Sequence, residues 1–514
     1  MKYIINWSLI LSLLFIFGCT RDLGNYNYKD INEISIEEIP SQYAIYKVDT
    51  LNIRPELHFS MDDSKSNQYN YEWKVVGSGT SAIDEVIGTT RELNYPVDIE
   101  PGAYTVYYKV LDTETDLIWK SSFILNVTTE TTTGFLLVGE NENKEVEVEM
   151  ISMLNSDTLI LKDLMHENGL PRIKGAVNIV HTGGYFNPTN IRLWVMGETG
   201  AYYVNSSTFI GDSQNTFQNM SFTTFPSNRE RIPVEIAPHV ASNSGGTASS
   251  SYRVVLTNTG DAFFCNLNMG EVYGNPINRS SANSTETFQI SKYIFYPPGL
   301  WSRFILYDSD SDRFVISNGL TATFMNNLAD GPSDIFPWNQ SEVKRKLIHG
   351  ENTRNTDGGS NNGNSFALMR DEGRDFHIYK FYVTTSPEKR GYYPIKSEYS
   401  SLLNQASLFA FSSSRSLLFY SVGNKLYAYD YNRNNERNVL VKEFEEEITL
   451  LNCDIQTGNY FDIYVGTYSE QKKGTLRKFI LSQNPNTINM EETADLGWTD
   501  LSKLKKMYWK NSND

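Results

Sequence analysis

The chain has 514 residues and a net charge of −16 at neutral pH; 40% of its residues are hydrophobic and 13% aromatic. That apolar content excludes a disordered chain, and so acidic a surface repels phosphate backbones, which excludes nucleic acid as a partner. The same charge argues against an electrostatic grip on anionic lipid.

At the N-terminus, Lys2 precedes an apolar run from Leu9 to Phe17 that ends at Gly18-Cys19. This is the layout of a bacterial lipoprotein signal peptide over residues 1–18, with Cys19 as the lipidated first residue of the mature chain. The run is shorter than the roughly 20 residues of a permanent span, although a plain anchor helix with an incidental cysteine is the alternative. Residues 19–30 are polar and rich in Tyr and Asn and read as a tether.

From residue 31 to 129 short β-segments alternate with turns. Tyr71, Trp73 and Val75 share one face of a strand, Pro101-Gly102-Ala103 forms a turn, and Tyr104 to Val110 follows with period two. Ser122 to Val127 supplies a last strand. About seven strands with a mid-chain Trp predict an immunoglobulin-like sandwich, held by packing because the cysteine pair of antibody domains is missing. Gly77-Ser78-Gly79-Thr80-Ser81-Ala82 fits a relaxed dinucleotide fingerprint, but Pro96 and Pro101 leave no room for its helix, so it reads as a loop.

Thr128 to Thr133 reads as a linker, and residues 130–514 then carry a loose repeat. Apolar runs recur at Phe135–Gly139, Arg192–Met196, Tyr252–Leu256, Arg303–Tyr307, Phe366–Met369, Ser416–Tyr420 and Tyr460–Val465. Gly197–Gly200 and Asn258–Asp261 make turns after two of them. The spacing, roughly 40 to 60 residues, is that of propeller blades with insertions. A single hairpin cannot bury both faces, so the units must stack radially and close. The expected fold is all-β, a sandwich followed by a seven-bladed β-propeller; six or eight blades, a large sandwich or two smaller β-domains are the alternatives. Ala241–Ser251 and Asn355–Ser365 are low-complexity and read as flexible loops. Thr499–Lys510 reads as a short amphipathic helix packed on the ring.

Several chemical motifs are incomplete. His166-Glu167 lacks the second His of a zinc-protease helix. Asp308, Asp310 and Asp312 begin a calcium loop that lacks its Gly and closing Glu, so a hairpin turn accounts for them. Cys265 and Cys453 sit in apolar runs nearly 190 positions apart and read as buried free thiols rather than a disulfide. No G-x-S-x-G elbow occurs, and no carboxylate pair can be singled out. The chain reads as a binding module rather than an enzyme, with no cofactor and no metal. Aromatic residues beside turn formers are the candidate ligand contacts: Tyr185, Phe186, Trp338, Tyr392 and Tyr393. Their alternative role is to cap blade ends as core.

The N-terminal portion resembles a known family. Cys19, Gly24 to Tyr28, Tyr43, Asp49-Thr50-Leu51, Tyr71-Glu72-Trp73, Leu93 to Val97, Pro101 to Tyr108 and Gly134 to Leu137 are similar to PKD-like lipoproteins of Bacteroidota. The resemblance implies an outer-membrane lipoprotein accessory to a SusC/SusD-type porter, binding a glycan or peptide for uptake. It carries no established active site. Thr20-Arg21-Asp22 holds one acid where surface-exported lipoproteins of that phylum carry several, so the periplasmic face stays open beside the surface. The rivals to this reading are a propeller hydrolase or lyase of extracellular polysaccharide and a structural subunit of the porter.

Overall fold

A computed structural model describes residues 31–61, 68–77, 82–153, 158–165, 169–182, 192–237, 252–298, 303–319 and 321–510. The leader, Cys19 and the tether lie outside the described residues, as does the 241–251 stretch. Among the described residues no helix is long and apolar enough to cross a membrane. The chain divides into two compact units, Met1–Val127 and Thr128–Asp514.

The first unit is a β-sandwich. Five strands form one sheet in the order β2 (Gln42–Tyr46), β9 (Ile118–Thr128), β8 (Gly102–Asp112), β5 (Tyr69–Gly77) and β6 (Ile83–Gly88). Two antiparallel pairs complete the unit: β1 (Ile34–Glu37) with β4 (Glu56–Phe59), and β3 (Thr50–Ile53) with β7 (Leu93–Pro96). Alternation dictates the inner face: along β8, Tyr104, Val106, Tyr108 and Val110 are buried. Trp73 has 0% exposure, stacks on Tyr108 at 4.1 Å and donates its indole N–H to the Thr90 carbonyl at 2.9 Å. That ring fills the space a disulfide bridges in antibody domains. The Tyr104 hydroxyl donates to the Glu100 carbonyl at 2.5 Å and ties the preceding turn to the strand. After Gly77, β6 is a strand and not a helix, so β5 and β6 form a hairpin.

Among the described residues the second unit contains seven antiparallel sheets. The first holds β10 (Gly134–Glu140), β11 (Val146–Ser152) and β12 (Leu159–Leu161). The second has β13 (Ala176–Thr182), β14 (Arg192–Gly197) and β15 (Ala201–Val204), and the third β16 (Pro233–Ala237), β17 (Tyr252–Thr257) and β18 (Ala262–Asn266). In the fourth are β19 (Ile305–Asp308), β20 (Arg313–Ser317) and β21 (Met325–Asn327), with residues 290–295 bridged to β19 at Ile290–Asp308 and Phe295–Ile305. The fifth runs β22 (Lys346–Asn352), β23 (Ser365–Arg370), β24 (Phe376–Tyr382) and β25 (Glu388–Pro394). Sheet six is β26 (Leu408–Phe411), β27 (Leu417–Val422), β28 (Lys425–Asp430) and β29 (Arg437–Glu443). Sheet seven is β30 (Glu447–Cys453), β31 (Asp462–Ser469), β32 (Lys473–Leu481) and β33 (Met490–Leu501).

The last strand, β34 (Lys503–Lys510), returns to pair with β10 and becomes the innermost strand of the first sheet. Innermost strands of neighbouring sheets touch: β34 with β13, β13 with β16, β22 with β26, β26 with β30, and β30 with β34. The unit is a seven-bladed β-propeller, closed by its C-terminus.

Each of the seven apolar runs read from the sequence falls on the second strand of a blade, β10, β14, β17, β19, β23, β27 and β31. The second strand has a neighbour on both edges and a blade against both faces, so it needs apolar side chains throughout. Leu193, Trp194, Val195 and Met196 are all buried, as are Leu417 to Tyr420. Cores form between blades, one of them joining Leu136, Val148, Trp194, Ile236 and Phe263.

Two expectations are corrected. Thr499–Lys510 is the end of β33 plus β34, not a helix. As a strand it satisfies the edge of β10 from Gly134–Lys510 to Glu140–Lys503, which a helix would leave unpaired. Asn355–Ser365 is an ordered loop: the Asn364 amide donates to the Asn355 and Asp357 carbonyls at 3.0 and 3.1 Å, and Asn355 and Asn364 are buried. Its Asn and Gly residues supply side-chain turns rather than looseness. Thr128–Thr133 is likewise fastened, since the Thr131 hydroxyl donates to the Ser207 carbonyl at 2.7 Å and the Lys510 ammonium reaches the Thr131 carbonyl. Ending the chain at Ser502 removes the closing strand, and the propeller is expected to lose its cooperative thermal transition and its protease resistance while the sandwich keeps its own; an unchanged melting profile contradicts this closure.

Candidate ligand site in the propeller channel

The innermost strand of a blade has no partner on its channel edge, and in this chain it carries a recurrent irregularity. The register against the second strand slips by one residue at Leu504/Lys506, Ala176/Asn178, Pro233/Glu235, Leu347/His349 and Ile448/Leu450. These are β-bulges at equivalent positions, which turn the following side chain away from the sheet face. In the fourth blade Lys292 stands at the same place, two residues past the Ile290–Asp308 bridge, with Ser291 N–H donating to the Tyr307 carbonyl at 3.0 Å. The alignment sets Lys506, Asn178, Glu235, Lys292 and His349 at one level of the channel on five successive blades.

Neighbours on this ring are coupled. The Asn178 amide donates to Glu235 Oε2 at 3.1 Å. Asn178 Oδ1 and Glu235 Oε1 each accept the backbone N–H of the next residue, Ile179 at 2.9 Å and Ile236 at 3.0 Å. Those bonds satisfy donors on an edge that no strand covers. His349 Nε2 lies 3.1 Å from Glu351 Oε2, which also accepts the Phe411 N–H of the sixth blade at 2.7 Å. The His349 ring sits between Tyr293 and Phe409, at centroid distances of 5.4 and 5.7 Å.

Lys292 and Lys506 complete the ring from opposite sides. Both expose surface to solvent, yet protein surrounds Lys292 closely enough that burial, together with the charge of Lys506, holds its ammonium below the usual lysine range; Glu235 opposes that shift. Lys292 thus stands in a recess that stays open to solvent. Its ammonium lies 5.6 Å from the Tyr293 ring centroid.

The aromatic residues singled out from the sequence do not gather here. Tyr185 and Phe186 lie outside the described residues, as do His166 and Glu167. Trp338 is corrected to core: it is 3% exposed and packed edge-on against Phe336, Phe314 and Phe381, leaving no ring face for a ligand. Its Phe-Pro-Trp context is apolar enough to be drawn inward between blades. Tyr392 is half-buried and accepts from Arg345 at 3.0 Å; its hydroxyl is 3.1 Å from His377 Nδ1, and His377 Nε2 is 3.0 Å from Asp371. Burial pushes the His377 imidazole below its usual range against the pull of Asp371. The Tyr393 ring lies over Gly391 and 4.9 Å from Tyr431. Both tyrosines thus brace the fifth blade.

Other polar groups are also structural. Arg253 and Arg192 grip Glu271 at 2.6 and 2.5 Å between the second and third blades, with the Tyr273 hydroxyl donating to the same carboxylate at 3.1 Å. Cys265 and Cys453 are free and buried, and burial pushes both thiols up, Cys265 to about 12, which disfavours the thiolate form. Asp308 accepts the N–H groups of Asp310 and Ser311 at 3.0 and 3.1 Å and pairs with Arg313 at 2.9 Å, making the hairpin turn. Among the described residues no group of three or more His, Cys, Asp or Glu is placed to hold a metal ion.

The ring residues escaped the sequence reading because they sit in short innermost segments, four of them before an apolar run and Lys506 in the closing strand at the C-terminus. The signal present is the repeated step of a polar residue two places into such a segment, as in Ala176-Val177-Asn178, Pro233-Val234-Glu235 and Ile290-Ser291-Lys292.

Two outcomes follow from these placements. Trp338→Ala is expected to cost about 3–5 kcal/mol of propeller stability by urea unfolding while leaving ligand affinity unchanged; loss of affinity with intact stability returns Trp338 to the binding surface. His181, wholly buried on β13, is pushed down to about 3 by burial and by Lys510 and Arg253. Its folded value lies below the ordinary imidazole value of about 6.5, so its contribution is fully present above that pH and is lost as pH falls toward 3. His181→Asn therefore flattens the fall in urea midpoint between pH 7 and pH 4, and an identical fall in both proteins refutes the assignment.

Residues 19–175 match the model of the PKD-like family. No curated protein matches the sequence significantly. Among solved structures the chain is similar to a quinonprotein alcohol dehydrogenase-like protein from Bacteroides thetaiotaomicron, at 14% identity and a TM-score of 0.39, over 93% of this chain and 99% of that one. It is also similar to a DUF4784 family protein from Bacteroides caccae, at 9% identity and a TM-score of 0.29, over 93% and 98% of the two chains. A third similarity is to AztD from Citrobacter koseri, at 12% identity and a TM-score of 0.34, over 85% and 97%.

Proposed function

We propose that the protein is a lipid-anchored outer-membrane binding protein, accessory to a SusC/SusD-type uptake system, that holds a glycan or peptide in its propeller channel without cleaving it. The observation that carries this reading is the ring of Lys506, Asn178, Glu235, Lys292 and His349 at one level of the channel, beside the rings of Tyr293 and Phe409. Convergent polar groups with aromatic neighbours on a closed rigid frame are organised before the ligand arrives, which lowers the ordering cost of binding. The envelope location in this reading rests on the apolar leader that ends at Cys19.

Binding is favoured over hydrolysis by what the channel carboxylates already do. Glycoside cleavage takes two carboxyl groups free to donate a proton and to attack or activate water. Glu235 accepts from Asn178 and the Ile236 N–H, and Glu351 accepts the Phe411 N–H and faces His349. Both are committed to holding strand edges.

A soluble form lacking residues 1–19, incubated with glycan and peptide mixtures, is expected to retain a ligand and release no product; release of shortened products overturns the binding assignment. Metabolic labelling with a fatty-acid analogue is expected to mark the full chain and to be lost in Cys19→Ala. An unlabelled full chain removes the anchor from this account.

A further inference from the structure

We infer that the channel ring selects a carboxylate-bearing saccharide, a uronate-type sugar, whose acid group is held between Lys292 and Lys506. This rests on the binding reading above and gives its ligand a charge and a class.

The argument begins with a mismatch of charge. Acidic residues outnumber basic ones by 61 to 45, and lysines elsewhere in the propeller find carboxylates readily: Lys380 with Asp357 at 3.0 Å, Lys389 with Asp330 at 2.7 Å, Lys478 with Asp462 at 2.5 Å. Lys292 and Lys506 differ. They come from the fourth and first blades, and among the described residues no carboxylate lies within ion-pair distance of either. The acid nearest in field, Glu235, has one oxygen taken by the Asn178 amide and the other by the Ile236 N–H. The two lysines therefore share one level of the channel, Lys292 feels the charge of Lys506, and both side chains are exposed. An isolated pair of like charges is unfavourable, and a carboxylate entering between them relieves the repulsion and offsets, by ion pairing, the desolvation that depresses the Lys292 ammonium.

The surroundings narrow the class. Tyr293, Phe409 and His349 form a packed, partly exposed aromatic group, and its Tyr293 ring lies 5.6 Å from the Lys292 ammonium. Flat rings stack on sugar faces while the polar groups of the ring meet hydroxyls. An acid on a saccharide ring uses both features at once. An acidic peptide uses the lysines alone.

The test uses the full chain solubilised in detergent, titrated by calorimetry with a galacturonate trimer, a galactose trimer of the same linkage and a triglutamate peptide. The galacturonate trimer is expected to bind at least about tenfold more tightly than the galactose trimer, and to weaken as salt rises from about 0.05 to about 0.5 M. Lys292→Gln with Lys506→Gln is expected to remove that preference, and Lys292→Arg with Lys506→Arg to retain it. The melting temperature of each variant separates lost affinity from lost fold.

Equal affinity for the two saccharides, with loss of both in Phe409→Ala, overturns the charge selection and leaves the binding reading standing. Preference for triglutamate overturns the saccharide class. Binding of none of the three overturns the proposal, and if glycan and peptide mixtures also go unretained the binding reading falls with it.

Discussion

The pairing of the last strand with the first holds the propeller together. β34 runs antiparallel to β10 across the whole length of both, and Lys510 meets Thr131, 379 positions earlier in the chain. An open fan of seven sheets would leave a long apolar face and a bare strand edge at each end, both invitations to aggregate. Closing the fan covers them. Loop-closure entropy rises only slowly with length, so even a pairing between segments this far apart is thermodynamically accessible.

Closure creates a second constraint at the axis. Seven innermost strands present unpaired N–H and C=O groups to one channel, and buried backbone groups need partners. Side chains supply them: Asn178 and Glu235 on their own strands, Glu351 to Phe411 across a blade boundary, the Asn352 amide to the Ile294 carbonyl at 2.8 Å, and the Tyr508 hydroxyl to the His181 carbonyl at 2.9 Å. The channel is polar because its walls are strand edges. Once those edges are satisfied, the two lysines are what remains for a ligand, so the site grows out of the architecture rather than being laid on it.

The two units solve the same packing problem by different means. In the sandwich, Trp73 and Tyr108 fill the centre between sheets. In the propeller, the bulk is spread over the faces between blades, where Trp194, Trp338 and Phe366 are closed off by their neighbours. This explains why a Trp beside turn formers pointed in two directions. Trp338 has the local context of a loop aromatic, but besides Phe336 next to it its ring meets Phe314 and Phe381 from two distant strands, contacts that no local pattern announces.

Local burial was legible. A second strand is covered on both faces and both edges, so its seven copies stand out as apolar runs, and alternation along Tyr104 to Val110 marked a half-covered strand equally well. By itself the sequence determined an all-β chain, a Trp-centred sandwich and seven repeats, because each rests on neighbours within one strand. Tertiary structure alone decided that Thr499–Lys510 closes the ring as strands, that the Asn355–Ser365 loop is bonded in place, and that Lys292 and Lys506 share one level of the channel. Those outcomes depend on which distant edges meet, and partners hundreds of residues apart leave no periodicity in either segment.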